Sequence, residues 1–126
     1  MGSERRVTMG VVSTAHPTEI GPEEAQRMAA EGAFLLDVRE PHEWHVGHVE
    51  GAVHIPMRML DARQGELPGD RPIVAVCRSG ARSGRVAEAL RQAGYDAVNL
   101  AGGLQAWVAV DLPLVADDEF TDPHVA

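Results

Sequence analysis

Ile73-Val-Ala-Val76-Cys77-Arg-Ser-Gly-Ala-Arg82-Ser83 is the stretch on which the fold turns. Ile73 to Val76 is a short, continuous apolar run with two β-branched valines and an isoleucine, the pattern of a strand buried on both faces rather than one. Small residues follow at Ser79, Gly80 and Ala81, where a chain can curl tightly. From Arg82 to Ala93 the period changes: Val86, Ala89, Leu90 and Ala93 recur at helical spacing, and Gly94 stands where a helix stops. Strand, tight turn and helix in immediate succession are the repeating unit of an α/β domain.

Working outward, the same alternation recurs. Phe34 to Val38 is a second doubly buried run, and Ala52 to Ile55 and Ala97 to Leu100 are shorter ones. Pro22 to Glu31 opens on Pro with two Glu in its first turn and closes at Gly32, the start and stop signals of a helix. Gly102 to Val108 is a shorter helical candidate. The expectation is one α/β domain over residues 18–116, with a mainly parallel central sheet and helices on both faces. Residues 1–17 form a leader without a sustained period, in which the alternation of Val7, Met9 and Val11 also suits an added edge strand. Residues 117–126 carry four carboxylates and read as an acidic, solvated tail.

Composition narrows the function. The 126 residues suit one domain with a core large enough to need no disulfide or metal staple. A single cysteine cannot form an intrachain bridge, which removes the secreted disulfide scaffolds. Eleven arginines against 19 carboxylates give a formal net charge of −8, the wrong sign for a nucleic-acid or anionic-membrane binder. No apolar run approaches the ~20 residues that span a bilayer, and no signal core opens the chain. A cytoplasmic location is expected.

The lone thiol, Cys77, ends a strand at a glycine-bearing, arginine-flanked turn. In an open α/β sheet the crevice beyond the carboxyl ends of the strands is where ligands bind. A curled backbone over Arg78-Ser79-Gly80-Ala81-Arg82-Ser83 can aim successive N–H groups inward and, with a helix N-terminus behind it, cradle an anion. A thiol there ionises below the ~8.5 of free cysteine. Cys77 is therefore read as a thiolate nucleophile facing an anion pocket, with Arg78 and Arg82 adding charge. A small buried hydrophobe is the alternative.

At these residues the chain resembles the rhodanese-like sulfurtransferases. Asp37-Val-Arg-Glu40, Glu43-Trp44 and Gly47-His48-Val49-Glu50-Gly51-Ala52 are similar to that family's first signature. Cys77 to Ser83 is similar to its active-site loop, and Gly94-Tyr95, Asn99-Leu100, Gly102-Gly103 and Ala106-Trp107 to its closing segment. The resemblance implies that Cys77 takes a sulfane sulfur from thiosulfate or a similar donor. The resulting persulfide is passed to cyanide, a thiol or an acceptor protein, with no cofactor, metal, nucleic acid or membrane required. Arg78 after the cysteine resembles the thiosulfate-preferring branch. Two other readings stand beside this one. A cysteine phosphatase or arsenate reductase needs an arginine six positions after the cysteine, where this chain has Ser83, with Arg82 one place early. A non-enzymatic persulfide carrier or interaction module is the second.

The remaining polar residues are read more plainly. Asp37, at the carboxyl end of its strand, is read as orienting Arg39 or the loop through a structural salt bridge, with direct participation in the chemistry as the alternative; Arg39 is read in the same way. His42, His45, His48 and His54 cluster without a soft ligand and do not make a metal site. Trp44, Trp107, Met57 and Met59 are packing residues, and Arg85 belongs either to the positive rim or to a solvated helix face.

Overall fold

A computed structural model describes residues 17–126. The possible strand at Val7 to Val11 lies outside these residues. Among the described residues five strands form one sheet: β1 (Glu19–Ile20), β2 (Phe34–Asp37), β3 (Val53–His54), β4 (Ile73–Val76) and β5 (Ala97–Leu100). Their order is β1-β5-β4-β2-β3 and every pairing is parallel. Among the described residues four helices accompany them: α1 (Pro22–Ala30), α2 (Pro41–Val46), α3 (Ala81–Gln92) and, after β5, α4 (Gly103–Ala109). Short 3-10 turns at Met57–Met59 and Gln64–Glu66 complete the long link from β3 to β4.

Doubly buried strands split the core by the pleat. Phe34, Leu36, Ile73, Ala75 and Cys77 face Val86, Ala87 and Leu90 of α3 on one side. Leu35, Val74 and Val76 face Ala25, Leu104 and Trp107, from α1 and α4, on the other. Successive side chains of a strand point to opposite faces, so the uninterrupted apolar runs are what helices on both sides require. The α/β class and the mainly parallel sheet expected from sequence are therefore the architecture found.

Boundaries shift by small amounts. The Ala52–Ile55 run contributes only the two-residue β3, and α3 begins one residue early, at Ala81. Ala81 follows Gly80, whose φ of +98° makes the turn into the helix. Two elements carried no assignment from sequence. The first is β1, too short to show a period. The second is α2, which starts with Pro41 at its first turn and whose Glu43 carboxylate accepts from the Glu40 N–H at 2.9 Å.

The acidic C-terminal segment is mostly exposed yet is not a loose tail. Val115 exchanges both backbone hydrogen bonds with His48. Asp117 and His124 donate their N–H groups to the carbonyls of His45 and Val46. Val125 packs against the core on the α1/α4 face. His124 lies so close over Gly47 that a Cβ there would meet its carbonyl, so residues 115–126 form a strap across α2. Among the described residues no helix is long and apolar enough to cross a membrane.

Candidate active site

Cys77 directly follows β4 at the carboxyl edge of the sheet and is wholly buried. Its side chain shares the α3 face with Ala75, and the loop from Arg78 to Gly80 carries the chain over it into α3. Three donors converge on Sγ: the Gly80 N–H at 3.1 Å, the Ser83 N–H at 3.4 Å and the Ser83 hydroxyl at 3.2 Å. Burial pushes the thiol up, but the Ser83 hydroxyl and the N–H groups of Ser83, Gly80 and Ser79 outweigh it and leave the thiol below its ordinary value. Two backbone N–H groups, of Gly80 and Ser83, thus point at the sulfur together with the Ser83 hydroxyl.

The first turn of α4 explains why the loop adopts this shape. The Leu104 N–H donates to the Cys77 carbonyl at 2.9 Å and the Gln105 N–H to the Arg78 carbonyl at 3.0 Å. Helix N-termini have unsatisfied N–H groups, and here they are spent on the loop's carbonyls. A trans peptide holds its N–H opposite its C=O, so anchoring these two carbonyls turns the Arg78 and Ser79 N–H groups the other way. Gly103 makes the approach feasible: its φ is +59°, and a Cβ would lie 2.5 Å from both carbonyl oxygens.

Arg82 does not project free charge into the pocket. Its Nη1 and Nη2 each donate at 2.8 Å to the Oε1 and Oε2 of Glu43, a bidentate pair bridging α3 and α2. The Arg82 bond, working against desolvation, holds Glu43 at a pKa of about 2 instead of 4.5. Sequence alone assigns Glu43 no role, because nothing local ties it to a residue far along the chain. Arg78 is exposed, and its Nε donates to the main-chain oxygen of Ala126 at 2.8 Å, so the strap reaches the loop after Cys77. Ser79 and Ala81 are exposed at the loop rim.

Asp37 and Arg39 form a buried pair, 1% and 0% exposed, joined by three side-chain hydrogen bonds of 2.8–3.1 Å. Arg39 also donates to the carbonyls of Glu43 and Gly47, at 3.3 and 2.7 Å. The pair therefore fixes β2 to α2, and through α2 the Glu43 carboxylate that holds Arg82. Trp44 stacks with both His48 and His54, with centroid separations of 3.6 and 4.8 Å. His48 and His54 donate ring N–H groups to the Trp44 and Arg39 carbonyls. Among the described residues no three His, Cys, Asp or Glu side chains are grouped to hold a metal. Trp107 is buried and donates to the Pro113 carbonyl. Arg85 is exposed and lines a groove of ~470 Å³ with Met57, Leu60 and Leu90.

Residues 21–110 match the rhodanese-like domain family. A sulfurtransferase of Allochromatium vinosum is 43% identical over 96 residues, covering 75% of this chain and 90% of its own. The thiosulfate sulfurtransferase GlpE of Haemophilus influenzae is 32% identical, covering 76% and 92% respectively. Among solved structures, a rhodanese-related protein of Thermoplasma volcanium superposes with a TM-score of 0.72 at 30% identity, over 77% of this chain and 96% of that one.

Proposed function

The chain belongs to the rhodanese-like domain family, and from that premise we propose that it moves a sulfane sulfur from thiosulfate, through a persulfide on Cys77, to a thiophilic acceptor. The Cys77 thiolate attacks the outer sulfur of thiosulfate; a new S–S bond forms while the bond to the sulfite group breaks, and sulfite leaves with the electron pair. Cyanide or a thiolate, free or on an acceptor protein, then attacks the outer sulfur and returns Cys77 to the thiolate. The electrons balance within these two displacements, so the reading needs no cofactor and no metal, and the only carried group is the persulfide.

The single observation that carries this reading is the ring of donors on Sγ, with Gly80, Ser83 and the Ser83 hydroxyl within 3.4 Å. Such donors stabilise both a thiolate and the neighbouring persulfide anion without a separate acid or base. Arg78 and the rim residues Ser79 and Ala81 would meet the donor. Because the thiol is wholly buried, the donor reaches it when the loop or the thiol rotamer moves. Phosphate chemistry is disfavoured by Arg82, whose fork is already filled by Glu43.

Incubation with thiosulfate and intact-mass analysis tests the proposal. The chain should gain one sulfur atom, lose it to cyanide as thiocyanate, and do neither as the Cys77→Ser variant. Mass gain without thiocyanate would leave a persulfide carrier instead; no mass gain at all would refute sulfur transfer through this residue.

A further inference from the structure

Behind Ser83 lies a buried chain of polar groups that sulfur transfer does not by itself explain. The Ser83 hydroxyl is 2.6 Å from Asn99 Oδ1, closer than it is to Cys77 Sγ. Ser83 and Asn99 are 0% and 3% exposed, so water does not relieve the arrangement. The Asn99 Nδ2 donates to the Glu19 carboxylate at 3.0 and 3.2 Å and to the Gly80 carbonyl at 3.0 Å. Both of those partners can only accept, so the amide cannot turn over, and its oxygen is held on Ser83. The hydroxyl has one proton and two neighbours that want it.

We propose that Asn99 is a positioning residue: clamped by Glu19 and the Gly80 carbonyl, it competes with Cys77 for the single proton of the Ser83 hydroxyl. While Cys77 is a thiol, every group is satisfied, because S–H donates to Ser83 and Ser83 donates to Asn99. When Cys77 ionises, the hydroxyl must leave one acceptor facing a lone pair at close range. Turned to sulfur, it leaves two oxygens 2.6 Å apart with no proton between them. Turned to Asn99, it leaves the thiolate without its strongest donor. Once a persulfide forms, the negative charge moves to the outer sulfur and Ser83 is free to return to Asn99. This last step rests on the proposed sulfur transfer; the competition itself does not. Asn99 thereby makes the free thiolate the least comfortable state and favours the loaded one.

Other charged groups face the same thiol. Arg82 of α3 is paired with Glu43 of α2, Asp37 is paired with Arg39 at the end of β2, Arg78 lies in the loop after Cys77 and is tethered to the strap, and Glu19 lies behind Asn99. A through-space effect of any of these persists without Ser83, whereas the competition does not. The test is a double-mutant cycle read by the Cβ chemical shift of labelled cysteine, which reports one site because the chain has one cysteine. Asn99→Ala, and the nearly isosteric Asn99→Leu, should lower the titration midpoint of Cys77 by about half a pH unit or more. Ser83→Ala should raise it. With Ser83→Ala in the background, either Asn99 variant should leave the midpoint unmoved. Circular dichroism identifies which variants are folded, and the comparison uses those. A midpoint unchanged or raised in both folded Asn99 variants, or lowered equally without Ser83, would overturn the proposal. Because the readout is ionisation, it stands or falls independently of thiocyanate formation.

Discussion

Glu43 is the residue on which the site's electrostatics depend. Its carboxylate takes the Glu40 N–H and both Nη groups of Arg82, and its side chain is 10% exposed against 29% for Arg82. A pKa of about 2 instead of 4.5 makes the ionised form part of the folded state. Such a depressed carboxylate contributes stability that is complete above ~4.5 and fades as pH falls towards ~2. The full shift would be worth ~3 kcal/mol; the partial exposure of Arg82 reduces this to ~1–2 kcal/mol. Between pH 6 and pH 3 the wild type should therefore lose on the order of 1 kcal/mol more stability than Glu43→Gln, measured by urea denaturation at each pH. Equal losses would show that the pair contributes nothing. Cys77 was legible from sequence because a lone thiol at the end of an apolar run has a defined place in a parallel sheet. Asp37 and Arg39 were legible because they are two residues apart. Glu43 and Arg82 are 39 residues apart, and Ser83 and Asn99 are 16 apart. Spacing of that order carries no geometric information until strands and helices are assembled.

At the scale of elements, the loop after Cys77 is shaped by a helix that does not touch the thiol. Helix α4 donates two N–H groups to the Cys77 and Arg78 carbonyls, and Gly103 is the position where the two backbones meet. Gly103→Ala would combine a left-handed φ of +59° with a Cβ 2.5 Å from two carbonyl oxygens. It should cost ~2–3 kcal/mol of stability and raise the thiol's titration midpoint as the loop N–H groups splay. Gly51 provides the comparison: its φ is +87°, but nothing lies within 4 Å of the added Cβ. Gly51→Ala should lower stability and leave the thiol's midpoint alone. If both variants shift the midpoint equally, α4 does not set the loop. The strands β2 and β4 and the helices α1 and α3 could be read because burial on two faces, or one apolar stripe, leaves a local period. The role of Gly102-Gly103 could not, since a close approach between a loop and a helix 25 or so residues later leaves no period at all. Helix α2, by contrast, did carry its signal in Pro41 and Glu43, and the six residues were simply too few to show an apolar face.

For the whole molecule, the net charge of −8 and the course of the strap bear on how the proposed anionic donor would approach. Of the arginines expected at the pocket, Arg82 has its charge paired with Glu43, and Arg78 is turned aside by a hydrogen bond from Nε to the main-chain oxygen of Ala126. What remains at the thiol is a set of N–H dipoles, which act over a few ångströms and are little affected by salt. The repulsion from the acidic surface is long-ranged, and a Debye length of ~10 Å at 0.1 M salt screens it. Raising ionic strength should therefore lower the KM for thiosulfate, opposite to the behaviour of a pocket lined by free arginines. Residues 117–126 supply four of the carboxylates, so ending the chain at Ala116 takes the formal charge from −8 to −4 and releases Arg78. In that variant KM should fall by about two- to threefold at low salt, because repulsion is weaker and a free guanidinium faces the donor. Its salt dependence should also flatten or reverse, since attraction to Arg78 is now screened as well. The strap's backbone bonds to His45 and Val46 and the packing of Val125 are lost too, so stability should drop by ~1–2 kcal/mol. A truncated chain that remains folded, with the KM and salt slope of the full chain, would mean that neither the acidic strap nor its hold on Arg78 governs access to Cys77.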